Sequence, residues 1–528
     1  MKRRNFLKSS SIAAAGLLLS KSSSGIFISN NSNSMPDKIF DDDFIKKMAD
    51  TAIFTSKQNG ATYSDFRLSS FRSQRISTRE NTVENISDNE NFGFSVRVIV
   101  NGAWGFAASS TFNETEVSRV SKIACEIAKA NGSITKNFVE LVPVPVYNDF
   151  WRTPIKKNSF DVKVDDKINL LLSINEKAKS FGASFCSSFI SSVNEWKYFA
   201  SSEGSYIKQN LFRIWPLFEV TVIDKETGQF DSRESLTAPI GKGYEYVEEF
   251  DFMKDVEEAV EHTKMKLKAR SVEVGKRDII LDPTHLWLTI HESCGHPTEL
   301  DRALGYEANY AGTSFMTKDK LKMLQYGSEF VSIKGDRTQI DGLATRGYDD
   351  DGVKTTEWDI IKDGKFVGYQ TTREMAKFIG EGSSNGCAYA DSWEHFPIQR
   401  MPNVSLLPGK NKLSLADLIS DTEDGIYIKG DGSWSIDMQR YNFQFTGQEF
   451  WEIKNGKIIG MLRDVAYQGN TVDLWNSCDA VCDASEYKLG GSYTCGKGEP
   501  GQVSPVSHGS SPARFRKVNI LNTSKEAQ

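Results

Sequence analysis

Residues 278–296 read DIILDPTHLWLTIHESCGH. Ile279, Ile280 and Leu281 are a short apolar run of strand composition. Asp282-Pro283 pairs a helix N-cap with proline at the first helical position. Leu286, Trp287, Leu288 and Ile290 put apolar groups on several sides of the following turns, which predicts a buried helix. That helix runs straight into His291-Glu292-Ser293-Cys294-Gly295-His296, so strand, helix and two imidazoles with a carboxylate are consecutive. In a regular α-helix, residues i and i+4 lie about 40° apart, whereas i and i+5 lie about 140° apart. His291 and His296 therefore share a face only if the helix carries a one-residue bulge or ends near Gly295, and glycine permits either.

On the N-terminal side of this stretch, helical and strand periods alternate. Phe44, Ile45, Met48, Ala52 and Ile53 recur at helical spacing up to Gly60. Residues 62–110 are rich in β-formers, with Asn101-Gly102 as a two-residue hairpin turn. Helices are expected over 113–131, 164–181 and 251–271, and strands over 185–224 around a Glu203-Gly204 turn. On the C-terminal side the pattern is mostly hairpins, around Asp363-Gly364 and Asn455-Gly456. The tail from Gly490 is rich in Gly, Ser and Pro and reads as a loop. The expected fold is α+β. A mixed N-terminal domain over 41–272 precedes a β-rich C-terminal domain over 273–528, a barrel or rolled antiparallel sheet that carries the histidine helix.

The 528 residues are 39% hydrophobic and 25% charged, which excludes a mostly disordered, collagenous or coiled-coil chain. The formal charge is −6 and no basic block stands out, so nucleic acid is not expected as a partner. The chain opens MKRRNFLKSSSIAAAGLLLSKSSSG, a positive start followed by a short apolar run and small residues. Residues 1–25 thus read as a cleavable signal of the twin-arginine type, and the Asn/Ser-rich residues 26–40 as a linker. Export to the periplasm is expected. No segment is apolar enough for stable membrane insertion. Removing residues 1–24 takes away five positive charges (Lys2, Arg3, Arg4, Lys8 and Lys21) and moves the net charge from −6 to −11.

The six histidines and seven cysteines form a short list of metal-ligating or nucleophilic groups. Catalytic zinc usually takes three protein ligands and keeps a water. In the shorter H-E-x-x-H motif the glutamate is the general base, and Glu292 stands in the matching place. The residues alone leave the third ligand open among Cys495, Cys478, Cys482, His508, Glu299 and Asp301. Cys478 and Cys482 are expected to pack as small hydrophobes, and Cys294 to turn away from the metal.

In context, His291-Glu292-Ser293-Cys294-Gly295-His296 resembles the active-site helix of the TldD/PmbA family of metalloproteases. Ala61-Thr62-Tyr63-Ser64-Asp65-Phe66-Arg67 and Ala103-Trp104-Gly105-Phe106-Ala107 resemble that family's N-terminal domain. Arg400-Met401-Pro402-Asn403, Leu407-Pro408-Gly409 and Thr494-Cys495-Gly496-Lys497 resemble its C-terminal domain. The resemblance spans roughly residues 40–520 in order and implies a TldD-type zinc peptidase. It implies His291, His296 and Cys495 as metal ligands and Glu292 as the group that activates water. It further implies a peptide substrate and a dimer, either of this chain or with a TldE/PmbA-like subunit. Two other readings stay open at this stage. One is an exported, non-catalytic subunit whose metal is structural, closed by a fourth ligand such as Cys478 or His508. The other is an amidase that uses the same zinc chemistry.

Overall fold

The first element of the computed structural model is α1 (Asp42–Gln58), and it is amphipathic for a simple reason. Ile45, Met48, Ala49 and Ala52 recur on one side and are buried, while Asp41 caps the first turn through Asp43 N at 3.0 Å. The structure describes residues 41–498 and 500–526, so the expected signal over 1–25 and linker over 26–40 lie outside the described residues.

Three strands follow, β1 (Tyr63–Arg79), β2 (Thr82–Val100) and β3 (Ala103–Ser109), with Asn101-Gly102 turning β2 into β3 as its sequence requires. Then come α2 (Glu114–Gly132), β4 (Asn148–Arg152), α3 (Val164–Ser180), β5 (Phe185–Ser201), β6 (Tyr206–Ile223), β7 (Phe230–Glu234) and α4 (Phe252–Lys268). The strands form one sheet in the order β3-β2-β1-β5-β6-β4, with β7 beside β6. Helices α1 and α2 bury Met48 and Val120 with Phe66 and Phe94 of the sheet. Helices α3 and α4 bury Leu171 and Val256 with Ile190 and Phe218.

The second half is β-rich. Its frame is β8 (Gly275–Leu281), β9 (Asp424–Ile436), β10 (Asn442–Lys454), β11 (Val465–Asn470), a hairpin of β12 (Lys488–Lys497) and β13 (Gln502–Ser510), and β14 (Ala513–Asn522). The order β9-β8-β14-β11-β10 closes on itself because β9 also pairs with β10, giving a five-stranded barrel. Helix α5 (Pro283–Ile290) leaves β8, and its Leu286 and Ile290 join the barrel's apolar cluster with Ile279, Phe445 and Tyr467. The fold is therefore α+β with a barrel in its β-rich half, as expected. Among the described residues no helix is long and apolar enough to cross a membrane.

One expectation is corrected. The tail from Gly490 is not a loop but lies in β12, β13 and β14. Several of its glycines, Gly490, Gly491, Gly498 and Gly509, answer to packing rather than flexibility. A Cβ on Gly490 would sit 2.5 Å from Trp287 of α5, so only a bare backbone lets β12 pass that close to the helix.

Asp282 ties the helix to the barrel. It accepts from Thr284 N at 3.0 Å as the N-cap of α5 and from the buried Tyr427 hydroxyl on β9. Asp282→Ala should cost about 2 kcal/mol through the lost cap and the orphaned phenol. A urea titration should show a lower unfolding midpoint, and an unchanged midpoint would contradict this linkage.

Candidate metal centre

The helical path does not end cleanly after Ile290. His291–Gly295 form one π turn, in which the His296 N–H donates to His291 O. This wider turn is the bulge that the i, i+5 spacing demands, and it returns His296 to the side of His291. The ring centroids lie 4.6 Å apart at 81°. Carbonyls loosened by the turn are taken up by side chains. Tyr326 donates to Ser293 O at 3.1 Å, Thr298 to Cys294 O at 2.7 Å, and Gln370 to Gly295 O at 2.5 Å. Gly295 is needed here because a Cβ would fall 2.5 Å from Met401 Sδ.

The third group arrives from β12. Cys495 faces Ser504 of β13 in the hairpin, and Arg400 donates to the Cys495 carbonyl and, at 2.9 Å, to Gln502 O. The candidate donor atoms of His291, His296 and Cys495 all lie within 4.8 Å of one another, and the three residues are buried. Cys495 Sγ is 3.7 Å from His296 Nε2. A tetrahedral zinc with bonds of about 2.1 Å to nitrogen and 2.3 Å to sulfur would hold such a pair about 3.6 Å apart. Two imidazoles and a thiol gathered this closely are a donor set that suits a zinc ion.

Each imidazole is held from behind. His291 Nδ1 lies 2.7 Å from His508 Nε2, and His508 Nδ1 lies 2.7 Å from Val404 O. A carbonyl can only accept, so His508 Nδ1 carries a proton and, in the neutral ring, Nε2 accepts from His291. That leaves His291 Nε2 free to face the site. His296 Nδ1 lies 2.9 Å from Glu299 Oε2, which turns its Nε2 toward Cys495. Lys497 in turn binds Glu299 at 3.0 Å and Asp301 at 2.8 Å. Such outer partners orient metal-ligating histidines and raise their basicity.

The electrostatics agree with that arrangement. Burial alone would push the Cys495 thiol up, but His291 and His296 hold it well below the usual thiol range. Burial tends to lower His296, yet Cys495 and Glu299 leave it raised. Burial, then His291, drives His508 well below the usual imidazole range, so it stays neutral as its bonding requires. Burial tends to raise Glu292, but Arg440, whose guanidinium pairs with Glu292 Oε2, holds it below the ordinary carboxylate range.

The structure thus brings together His291, Glu292, His296 and Cys495. The other candidate ligands stand elsewhere. Cys478 and Cys482 are buried in apolar clusters, as expected of small hydrophobes. Cys294 is buried in the core, where desolvation raises its thiol pKa. Glu299 and His508, weighed as ligands from sequence, sit behind the imidazoles instead. Lys497 could have been found, since two residues after Cys495 on a strand shares its face. Arg440 is 148 residues from Glu292 and leaves no local signal.

Models of PmbA/TldA metallopeptidase domains match this chain in order. Domain 1 matches residues 64–128, the central domain 157–267 and the C-terminal domain 274–521. The chain belongs to the PmbA/TldD metallopeptidase family. A metalloprotease of Methanocaldococcus jannaschii is 29% identical over 457 residues, 85% of this chain and 94% of that protein. A protein of Saccharolobus solfataricus named zinc metalloprotease TldD homolog is 24% identical over 473 residues, 88% of this chain and 98% of its own length. Among solved structures, TldE from Thermococcus kodakarensis superposes with a TM-score of 0.69 at 17% identity, covering 90% of this chain and 100% of that one. A Thermotoga maritima structure gives a TM-score of 0.72 at 16% identity, with 90% and 100% covered. These last two likenesses establish a shared PmbA/TldD fold.

If His508 fixes the His291 tautomer, removing its acceptor should loosen the metal. His508→Phe should weaken zinc binding about 10–100-fold in competition with a chelator. Equal affinity in wild type and variant would contradict the relay.

Proposed function

We propose that this chain is a zinc metallopeptidase with His291, His296 and Cys495 as ligands and Glu292 as general base. The observation that carries the reading is the open donor set. Among the described residues three candidate ligands converge, and a carboxylate from the same turn stands beside them. Catalytic zinc sites have this composition, whereas structural sites add a fourth protein ligand. Cys478 and His508, the residues that would have closed the site, are occupied elsewhere.

Zinc on these donors would polarise a peptide carbonyl and lower the pKa of a water toward about 7. Arg440 holds Glu292 Oε2 and keeps the carboxylate ionised near neutral pH. Glu292 Oε1 is then the atom that takes the water proton and passes it to the leaving amine. The buried Glu299–Lys497–Asp301 group keeps His296 oriented while charge shifts in the site.

The relatives named metalloproteases support a peptide substrate. The likeness to a protein named TldE supports pairing with a second chain of the family, and self-association is the alternative. Arg3-Arg4 followed by an apolar run supports export through a twin-arginine route to the periplasm.

Glu292→Gln should retain zinc and lose about 10²–10⁴-fold in peptide turnover. His291→Ala and Cys495→Ala should lose the metal itself, measured by elemental analysis of purified protein. Full activity in Glu292→Gln, or equal zinc in all variants, would overturn the assignment.

A further inference from the structure

We propose that a cleft beside the metal centre is a side-chain subsite for a basic residue, lysine or arginine, of the peptide. This specificity rests on the peptidase reading above. The cleft has a volume of about 200 Å³. Trp215 of β6, Trp287 of α5 and Trp434 of β9 line it together with Glu234 and Asp431, and β12 forms another wall up to Thr494. Thr494 directly precedes Cys495. Trp287 stands one helical turn before His291, its ring 6.2 Å from that imidazole and stacked on His508 at 6.3 Å and 11°. The elements that carry the candidate ligands, α5 and β12, therefore also wall the cleft, which places it within a side chain's reach of a peptide at the metal.

The chemistry of the lining selects the occupant. Among the lining residues there is no Lys, Arg or His, and neither carboxylate takes part in an ion pair among the described residues. Burial, then Asp431 and Glu219, pushes the Glu234 carboxyl up to about 7. Burial also raises Asp431. A cation in the cleft would relieve both. Tryptophan faces favour cations and also cover an alkyl stem. An apolar stem that ends in an ammonium or guanidinium matches both features, and an acidic side chain would be repelled.

The cleft is built by a specific backbone device. On a regular strand, residues three apart point to opposite faces. The register of β9 with β10 shifts between Asp431 and Trp434, so this β-bulge lets both residues line the same cleft.

The test uses the full chain with Glu292→Gln, so that bound peptide is not cut. Acetylated and amidated Ala/Gly hexapeptides carry one Lys, norleucine or Glu at each position in turn, so the side chain is the only charge. Their affinities are read by competition with a fluorescent peptide, with and without zinc. At one position Lys should bind about tenfold tighter than norleucine, and Glu more weakly than both. Adding Glu234→Gln with Asp431→Asn should abolish the Lys advantage while norleucine affinity stays unchanged, which also reports a folded cleft. No position that prefers Lys, or an advantage that survives in the double variant, would overturn the subsite. A Lys preference in binding without turnover by the wild-type chain would fault the peptidase reading and uphold the subsite.

Discussion

Two imidazoles five residues apart cannot face one point from a regular α-helix, and many contacts in this molecule serve to bring them together. The π turn over His291–Gly295 is the solution, and it loosens carbonyls that must find other donors. Those donors come from distant segments: Tyr326, Thr298 and Gln370. Met401 closes over Gly295, where no side chain would fit. The apolar character of α5 on several sides then reads as a requirement. The helix is gripped from all around so that an irregular turn at its end keeps one geometry.

Around that turn lies a second layer of charge. Glu299, Asp301 and Lys497 are all buried, with Lys497 between the two carboxylates. Buried ion groups contribute little net stability after desolvation, so their presence argues for orientation rather than strength. They hold His296 from one side, while neutral His508 and the Val404 carbonyl hold His291 from another. Arg440 meets Glu292 at the mouth of this arrangement from a left-handed backbone position, φ 66°, on the connection between β9 and β10. One turn of helix, one hairpin and one barrel connection thus converge on a single group of donors.

Much of the architecture was legible because local signals agreed with the tertiary outcome. The Asn101-Gly102 turn, the Asp282-Pro283 helix start and the stripe of Ile45, Met48 and Ala52 each satisfy backbone and burial needs in the same way. The spacing of His291 and His296 required either a bulge or a helix end near Gly295, and the π turn is the bulge. The tail was misread because composition cannot separate a glycine that bends from one that lets Trp287 approach. Cys495 stood among six candidates for the third ligand and was singled out only by family resemblance, since nothing local marks a thiol as facing a helix 199 residues away. The outer partners were visible as residues, but not as roles. Glu299 and His508 carry ligand chemistry, and only the folded positions show them behind the imidazoles.

The proposed metal site has two nitrogens from one π turn, one sulfur from β12 and one position left for solvent. X-ray absorption at the zinc edge of the purified, zinc-loaded chain tests it directly. The expected spectrum has one sulfur at about 2.3 Å and three light scatterers at about 2.0–2.1 Å, two of them with the outer-shell pattern of imidazole. A spectrum without sulfur, or with a third imidazole closing the site, would contradict it.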